Sequence, residues 1–222
     1  GVAVTFELND AFLCDAVPAE VMDALWAGGW RHFGRLFFRY DRQEAKEGRM
    51  QTITPLRIRL EQWQPTKSQR RVLRRNADLR WEMLPMSLDD DLRALFERHK
   101  GRFRDNIPEK LENFLGDEPE ASPCDCRMLR VFEGDKLLAV SFLDVGQRAV
   151  SSVYAMFEPA AAWRSLGIFT MLLELQFARE SCFEFLYPGY ATHEASVYDY
   201  KKQFTSMEWL DFESGEWRQL PR

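Results

Sequence analysis

Cysteine, histidine and long apolar runs are all scarce in this chain. Its four cysteines, Cys14, Cys124, Cys126 and Cys182, are too few and too scattered among 222 residues for a disulfide scaffold. Cys124-Asp125-Cys126 lacks the two-residue spacer of a zinc knuckle and has no second pair, so free thiols in a reducing compartment are expected. The three histidines, His32, His99 and His193, fall in separate segments, and no Ser/His/Asp or Cys/His signature of covalent catalysis accompanies them. No apolar stretch approaches the length of a membrane span, and the chain does not open with a basic region followed by an apolar core. The expectation is a soluble, cytoplasmic protein with no secretory signal and no membrane partner. Repeats and low-complexity tracts are also missing.

What remains is an ordered globular composition, 45% hydrophobic and 14% aromatic, on a chain long enough to bury a sizeable core. The net charge is -5, yet Lys67, Arg70, Arg71, Arg74 and Arg75 place five cations within nine residues. At about 100° per residue they share one side of a helix, with Val72 and Leu73 on the other. Arg57, Arg59 and Arg80 extend the excess, opposed between residues 57 and 80 only by Glu61 and Asp78. A solvated basic face explains the pattern without any ligand. A site for a polyanion explains its density against the acidic whole.

Periodicity divides the chain into alternating elements. Ala19 to Gly28 predicts a short helix with Val21, Leu25 and Trp26 as its buried stripe. Strands are expected at Leu36–Tyr40 and Met50–Leu60, separated by a polar turn from Asp41 to Gly48. The basic helix, a strand at Leu79–Leu84 and a helix from Leu88 to His99 follow, then a short helix over 109–115 and an acidic loop from Gly116 to Pro123. Met128–Phe132, Leu137–Val145 and Val150–Phe157 read as three strands, with Glu133-Gly134-Asp135 as the first turn. A helix over 163–180, a strand at Phe183–Tyr187, a helix over 193–203 and short strands near Trp209 and Trp217 complete the chain. The class is α+β, with a mixed, mainly antiparallel sheet flanked by helices. This order of elements resembles the acyl-CoA N-acyltransferase (GNAT) fold. The domain reading is a divergent region over 1–60 and a GNAT-like domain over 61–222, or one compact domain overall.

Three groups of residues carry a closer resemblance. The first is Thr54-Pro55-Leu56-Arg57 leading to Pro65, Ser68-Gln69-Arg70-Arg71 and Arg74-Arg75-Asn76. The second is Val140 to Val145, Ser151-Ser152-Val153-Tyr154, Phe157-Glu158-Pro159 and Ser165-Leu166-Gly167. The third is Tyr187-Pro188-Gly189-Tyr190, Tyr200-Lys201, Phe204 and Gly215-Glu216-Trp217. In this succession they resemble the arginyl-tRNA–protein transferase family, including its bacterial aspartate/glutamate leucyltransferase branch. The resemblance implies transfer of arginine or leucine from charged tRNA to the α-amine of a protein or peptide. The family's usual cysteine cluster falls here on Glu47, Met50 and Ile53, and Cys14 stands alone. With no converging thiolates or imidazoles evident, no iron–sulfur cluster, zinc or other cofactor is expected.

Amine attack on an activated ester needs positioning, a proton acceptor and oxyanion stabilisation, but no enzyme nucleophile. The resemblance assigns Arg57, Lys67, Gln69, Arg70, Arg71, Arg74, Arg75, Asn76 and Lys201 to tRNA. Ser152 and Tyr154 are expected on one strand face, with Tyr190 and Asp144 as further catalytic candidates and Ser151, Tyr187, Gly189 and Tyr200 as substrate-binding ones. A polar strand face, an aromatic core and an Asp144–Arg57 ion pair are the structural alternatives. Acyl-CoA transfer is a second hypothesis, drawn from Arg164-Ser165-Leu166-Gly167-Ile168-Phe169, but Phe169 stands where a pyrophosphate loop needs a small residue. A non-catalytic tRNA-binding relative is the third.

Overall fold

The computed structural model describes residues 7–101, 123–192 and 202–220. The N-terminal strands β1 (Asn9–Leu13), β2 (Arg31–Phe33) and β3 (Leu36–Tyr40) form a small antiparallel sheet in the order β1-β3-β2. Between β1 and β2 lies helix α1 (Ala19–Ala27), which follows Pro18 and ends at Gly28. Its buried residues are Met22 and Trp26, one turn apart, whereas Val21 is 42% exposed, so the expected stripe is rotated by about one residue.

The remaining strands build the large sheet. They are β4 (Arg42–Glu44), β5 (Met50–Arg59), β6 (Arg80–Pro85), β7 (Asp125–Glu133), β8 (Lys136–Val145), β9 (Ala149–Phe157), β10 (Phe185–Thr192), β11 (Met207–Asp211) and β12 (Glu216–Gln219). Their order is β12-β11-β5-β10-β9-β8-β7-β6, with β4 on β5. Every pair among these described strands is antiparallel except β9–β10, which is parallel. The fold is therefore α+β with a mixed, mainly antiparallel sheet, as the sequence pattern predicts. Because β5 runs between β10 and β11, the sheet crosses the expected boundary at residue 60.

Helices cover both faces. On one, α2 (Lys67–Arg75) and α4 (Leu166–Glu180) pack on Leu129, Leu143, Val150 and Leu186. On the other, α3 (Asp90–Lys100) buries Leu92, Leu95 and Phe96 against Met128, Val140, Phe142 and Met156. The alternation Phe142/Leu143 on β8 separates the two layers. Strand β8 is consequently buried at every position after Lys136, and so reads as a continuous apolar run. The α1 helix joins Phe37, Ala149 and Tyr187 on the α3 side. Helix α4 starts later than the sequence predicts: Ser165 takes φ +55° and closes a short 3-10 segment at Pro159–Arg164. The sequence-based helices over 109–115 and 193–203 and most of the 116–123 loop lie outside the described residues, as do His193, Tyr200 and Lys201. No helix among the described residues is long and apolar enough to cross a membrane.

Candidate active site

Among the described residues, the large sheet splits at its parallel pair. Phe185, Leu186 and Tyr187 of β10 pair with Ala149, Val150 and Ser151 of β9, and the pairing stops there. Beyond it β9 continues on β8 as far as Phe157, while β10 continues on β5 through Gly189 to Thr192. The strands therefore part between Ser152 and Pro188. Such a divergence at the carboxyl ends of parallel strands is where open sheets admit ligands. The β10 backbone turns away through a register shift before Gly189, whose φ of +111° is open to glycine and costly to other residues.

Arg31 of β2 reaches into this split. One guanidinium nitrogen donates to Ser151 Oγ at 2.8 Å and another to the Ser152 carbonyl at 2.8 Å. Burial depresses its pKa, and the field of Tyr190, Asp144, Tyr40 and Glu174 opposes that shift. From the other face, Glu174 of α4, 1% exposed, accepts hydrogen bonds from Ser141 Oγ at 2.6 Å and Ser152 Oγ at 3.2 Å. A buried carboxylate held by two hydroxyls near a half-buried guanidinium is costly to assemble unless each group has its partner. Neither Arg31 nor Glu174 was singled out by sequence; the only signal was an acid inside the apolar run Met171 to Phe177.

Several expectations are revised by this geometry. A bulge opposite Phe142 and Leu143 leaves Val153 as the extra residue, so Ser152 pairs with Leu143 and Tyr154 with Phe142. Their side chains therefore face opposite layers, and Tyr154 sits edge-on to Phe96 and His99 beside α3. His99 Nδ1 accepts the Phe157 backbone N–H at 3.1 Å, a framework role. Tyr187 is buried against Trp26 and Trp217. Tyr190 lies in the split and donates to the Gly29 carbonyl at 2.6 Å; burial raises its pKa, so its phenol is a donor rather than a base.

Asp144 pairs with neither solvent nor Arg57. Its carboxylate takes a short hydrogen bond from His32 Nε2, while His32 Nδ1–H donates to the Gly34 carbonyl at 2.9 Å. Burial disfavours the imidazolium, but the Asp144 charge and hydrogen bond, with Gly34, outweigh it and raise the His32 pKa. Arg57 instead bonds Glu208 at 2.6 Å and lies between the Phe185 and Trp217 rings. Cys124 Sγ joins His32 and Asp144 with all three ligand atoms within 4.8 Å of one another. The premise that no thiol and imidazole converge is thus overturned. Glu47, Met50 and Ile53 offer no thiolate, and Ile53 is buried in the core, so a cysteine cluster at those positions has no counterpart.

The basic helix forms as its pattern predicts, with Thr66 and Gln69 closing a reciprocal capping box. Lys67, Arg70, Arg71, Arg74 and Arg75 are all exposed, and none forms an ion pair with a described residue. Arg75 bonds the Trp163 carbonyl and Ser165 Oγ, in the link between β9 and α4, so α2 adjoins the end of the sheet where the strands part. Gln69 and Asn76 are corrected as tRNA contacts. Gln69 is spent on the cap, and Asn76, 1% exposed, bonds the Val72 and Arg164 carbonyls. Arg57 and Arg59 share Glu208, and Arg80 pairs with Glu82, so the patch shrinks to the helix itself. The Arg164–Phe169 segment does not fit a pyrophosphate: Arg164 is bound to Asp78 and Glu133, and Phe169 is buried.

Comparison with known proteins agrees with the residues that carry the resemblance. Residues 93–211, more than half of the chain, match the family model described as arginine-tRNA-protein transferase, C terminus. The aspartate/glutamate leucyltransferase of Thiobacillus denitrificans is 29% identical over 216 residues, covering 92% of this chain and 85% of that protein. The enzyme of the same name from Chromohalobacter salexigens is 32% identical over 211 residues, covering 90% and 81%. Among solved structures, the C-terminal domain of a putative lysylphosphatidylglycerol synthetase from Agrobacterium fabrum superposes with a TM-score of 0.52 at 15% identity. That likeness concerns fold alone; it covers 84% of this chain, which spans 55% of the other. On sequence and motif order together, the chain belongs to the arginine-tRNA-protein transferase family.

Proposed function

We propose that this protein moves leucine from charged tRNA to the α-amine of a protein or peptide that begins with aspartate or glutamate. As a member of its family it is an aminoacyl-tRNA-dependent aminoacyltransferase; leucine and the acidic acceptors are carried over from its relatives' shared name. The observation that carries the assignment to this site is Arg31 lodged where β9 and β10 part, with a helix of five exposed cations bonded to the link that leaves β9. We read the fold as GNAT-like, because a single diverging parallel pair lies inside an otherwise antiparallel sheet. Acyl-CoA is the weaker donor, since Phe169 and the ion-paired Arg164 leave no phosphate loop at the start of α4.

In this reading Lys67, Arg70, Arg71, Arg74 and Arg75 hold tRNA phosphates, and the aminoacyl ester enters the split. The acceptor nitrogen attacks the ester carbonyl, and the new C–N bond forms as the negative charge gathers on oxygen. Arg31 stabilises that oxyanion. Ser152 Oγ already donates to Glu174, so its lone pairs face the amine and can take its proton toward the carboxylate. Collapse breaks the C–O bond and returns a proton to the tRNA hydroxyl. Tyr190 and Gly189 shape the opposite wall, and the chemistry needs no metal or cofactor. A cytoplasmic location follows from the donor, which is a cytoplasmic substrate.

The test is transfer of label from tRNA charged with leucine or arginine onto peptides with varied first residues. Leucine should move to peptides beginning with Asp or Glu. No transfer from any charged tRNA, with acyl-CoA turnover in its place, overturns the proposal.

A further inference from the structure

We propose that His32, Cys124, Asp144 and Cys126 form a structural zinc site that clamps the small N-terminal sheet to the large one. Three of the four are already gathered. The ligand atoms of His32, Cys124 and Asp144 all lie within 4.8 Å of one another. Zinc bonds of about 2.0–2.3 Å put tetrahedral ligands roughly 3.5 Å apart, so small side-chain rotations close the set. Cys126 of β7 is the cross-strand partner of Asp144 on β8, and its side chain therefore rises from the same sheet face. Burial, with the Asp144 charge close by, raises the pKa of both thiols.

The second observation is orientation. His32 Nδ1–H is committed to the Gly34 carbonyl, which fixes the ring and aims Nε2 at Asp144. A ligating histidine is typically held this way, through its other nitrogen. Two sulfurs, one imidazole and one carboxylate suit zinc and not magnesium or calcium, which take oxygen ligands. The surroundings are dry: Phe37 stacks on the His32 ring, and Trp26 and Val17 close the same cluster. Nothing in that shell leaves a coordination position for substrate, so the site is structural rather than catalytic.

Topology gives the consequence. His32 comes from β2, Cys124 from just before β7, Cys126 from β7 and Asp144 from β8. One ion would bind the two sheets, and Arg31, the next residue to His32, would be held at the split. The chain thus places thiols of its own where the family's cysteine positions, Glu47, Met50 and Ile53, supply none.

The test is cobalt titration of the full chain after chelator treatment, read by absorption and by thermal melting. One equivalent of Co²⁺ should give thiolate charge-transfer and tetrahedral ligand-field bands, lost on adding Zn²⁺, and Zn²⁺ should raise Tm. Cys124→Ser and Cys126→Ser should each weaken binding by at least about tenfold, whereas Cys182→Ser should leave it unchanged. Wild-type protein that shows neither cobalt bands nor a Zn²⁺-dependent Tm shift overturns the site, as does full binding by the Cys124→Ser, Cys126→Ser double variant. These readouts do not involve transfer, so the outcome stands apart from the fate of the proposed activity.

Discussion

At the scale of single residues, the site depends on groups whose partners lie far away in the chain. Arg31 meets Ser151 across 120 positions, and Glu174 meets Ser141 across 33. Arg31→Lys keeps a charge but loses the planar fork that bonds Ser151 and Ser152 together. Transfer should fall by about 10²-fold with the Kd for tRNA unchanged, measured by single-turnover transfer and filter binding. Equal loss of both would make Arg31 a tRNA contact, and loss of neither would make it a strut. The hydroxyls of Ser152 and Tyr190 and the glycine at 189 were legible, because they sit in recognisable runs at strand ends. Arg31, His32 and Glu174 were not, since a lone charge carries no period and its meaning comes from what the fold brings opposite. The same gap explains Arg57: its partner Glu208 is 151 residues away, so the sequence offered tRNA or Asp144 in its place.

Among elements, the long periodic ones were readable and the short or bent ones were not. Helices α1, α2 and α3 and strands β5 to β9 fall within a few residues of their sequence-based limits, because caps and alternation both mark them. Strands β1, β2 and β4 went unseen: β2 and β4 are three residues long each, and β4 lies inside the run 41–48 expected as a polar turn. The bulge at Val153 reversed the facing of Tyr154, as one inserted residue does to everything beyond it. Helix α2 provides the sharpest test at this scale. Arg70→Ala with Arg74→Ala removes two exposed cations and leaves the capping box intact. Binding of tRNA should weaken, and the slope of log K against log salt should flatten by about 0.7–0.9 for each phosphate that is no longer neutralised. An unchanged slope would return the row to an ordinary solvated face.

Across the whole molecule, the decisive joint is where α1 rests on the β8–β9 turn. The Asp23 carboxylate accepts the backbone N–H groups of Arg148 and Ala149, and Trp26 packs beside them. Gly146 lies beneath both; a Cβ there would collide with Asp23 and come within 2.8 Å of the Trp26 ring. Gly146→Ala should therefore destabilise the fold by about 1–3 kcal/mol, read as a lower urea midpoint, and should loosen the small sheet that carries Arg31. Hydrogen exchange in β2 unchanged from wild type would show that this joint does not support it.

The place of β5 has a further consequence for how the protein is made. Residues 50–59 are made more than a hundred residues ahead of their sheet neighbours β10 and β11, which begin only after residue 184. Over that interval the only described partner of the strand is β4, three residues long. An unpaired apolar strand invites pairing with other chains. The large sheet can close around its middle only once β10 and β11 have been made, so until then the nascent chain must wait, shielded, with its centre still missing.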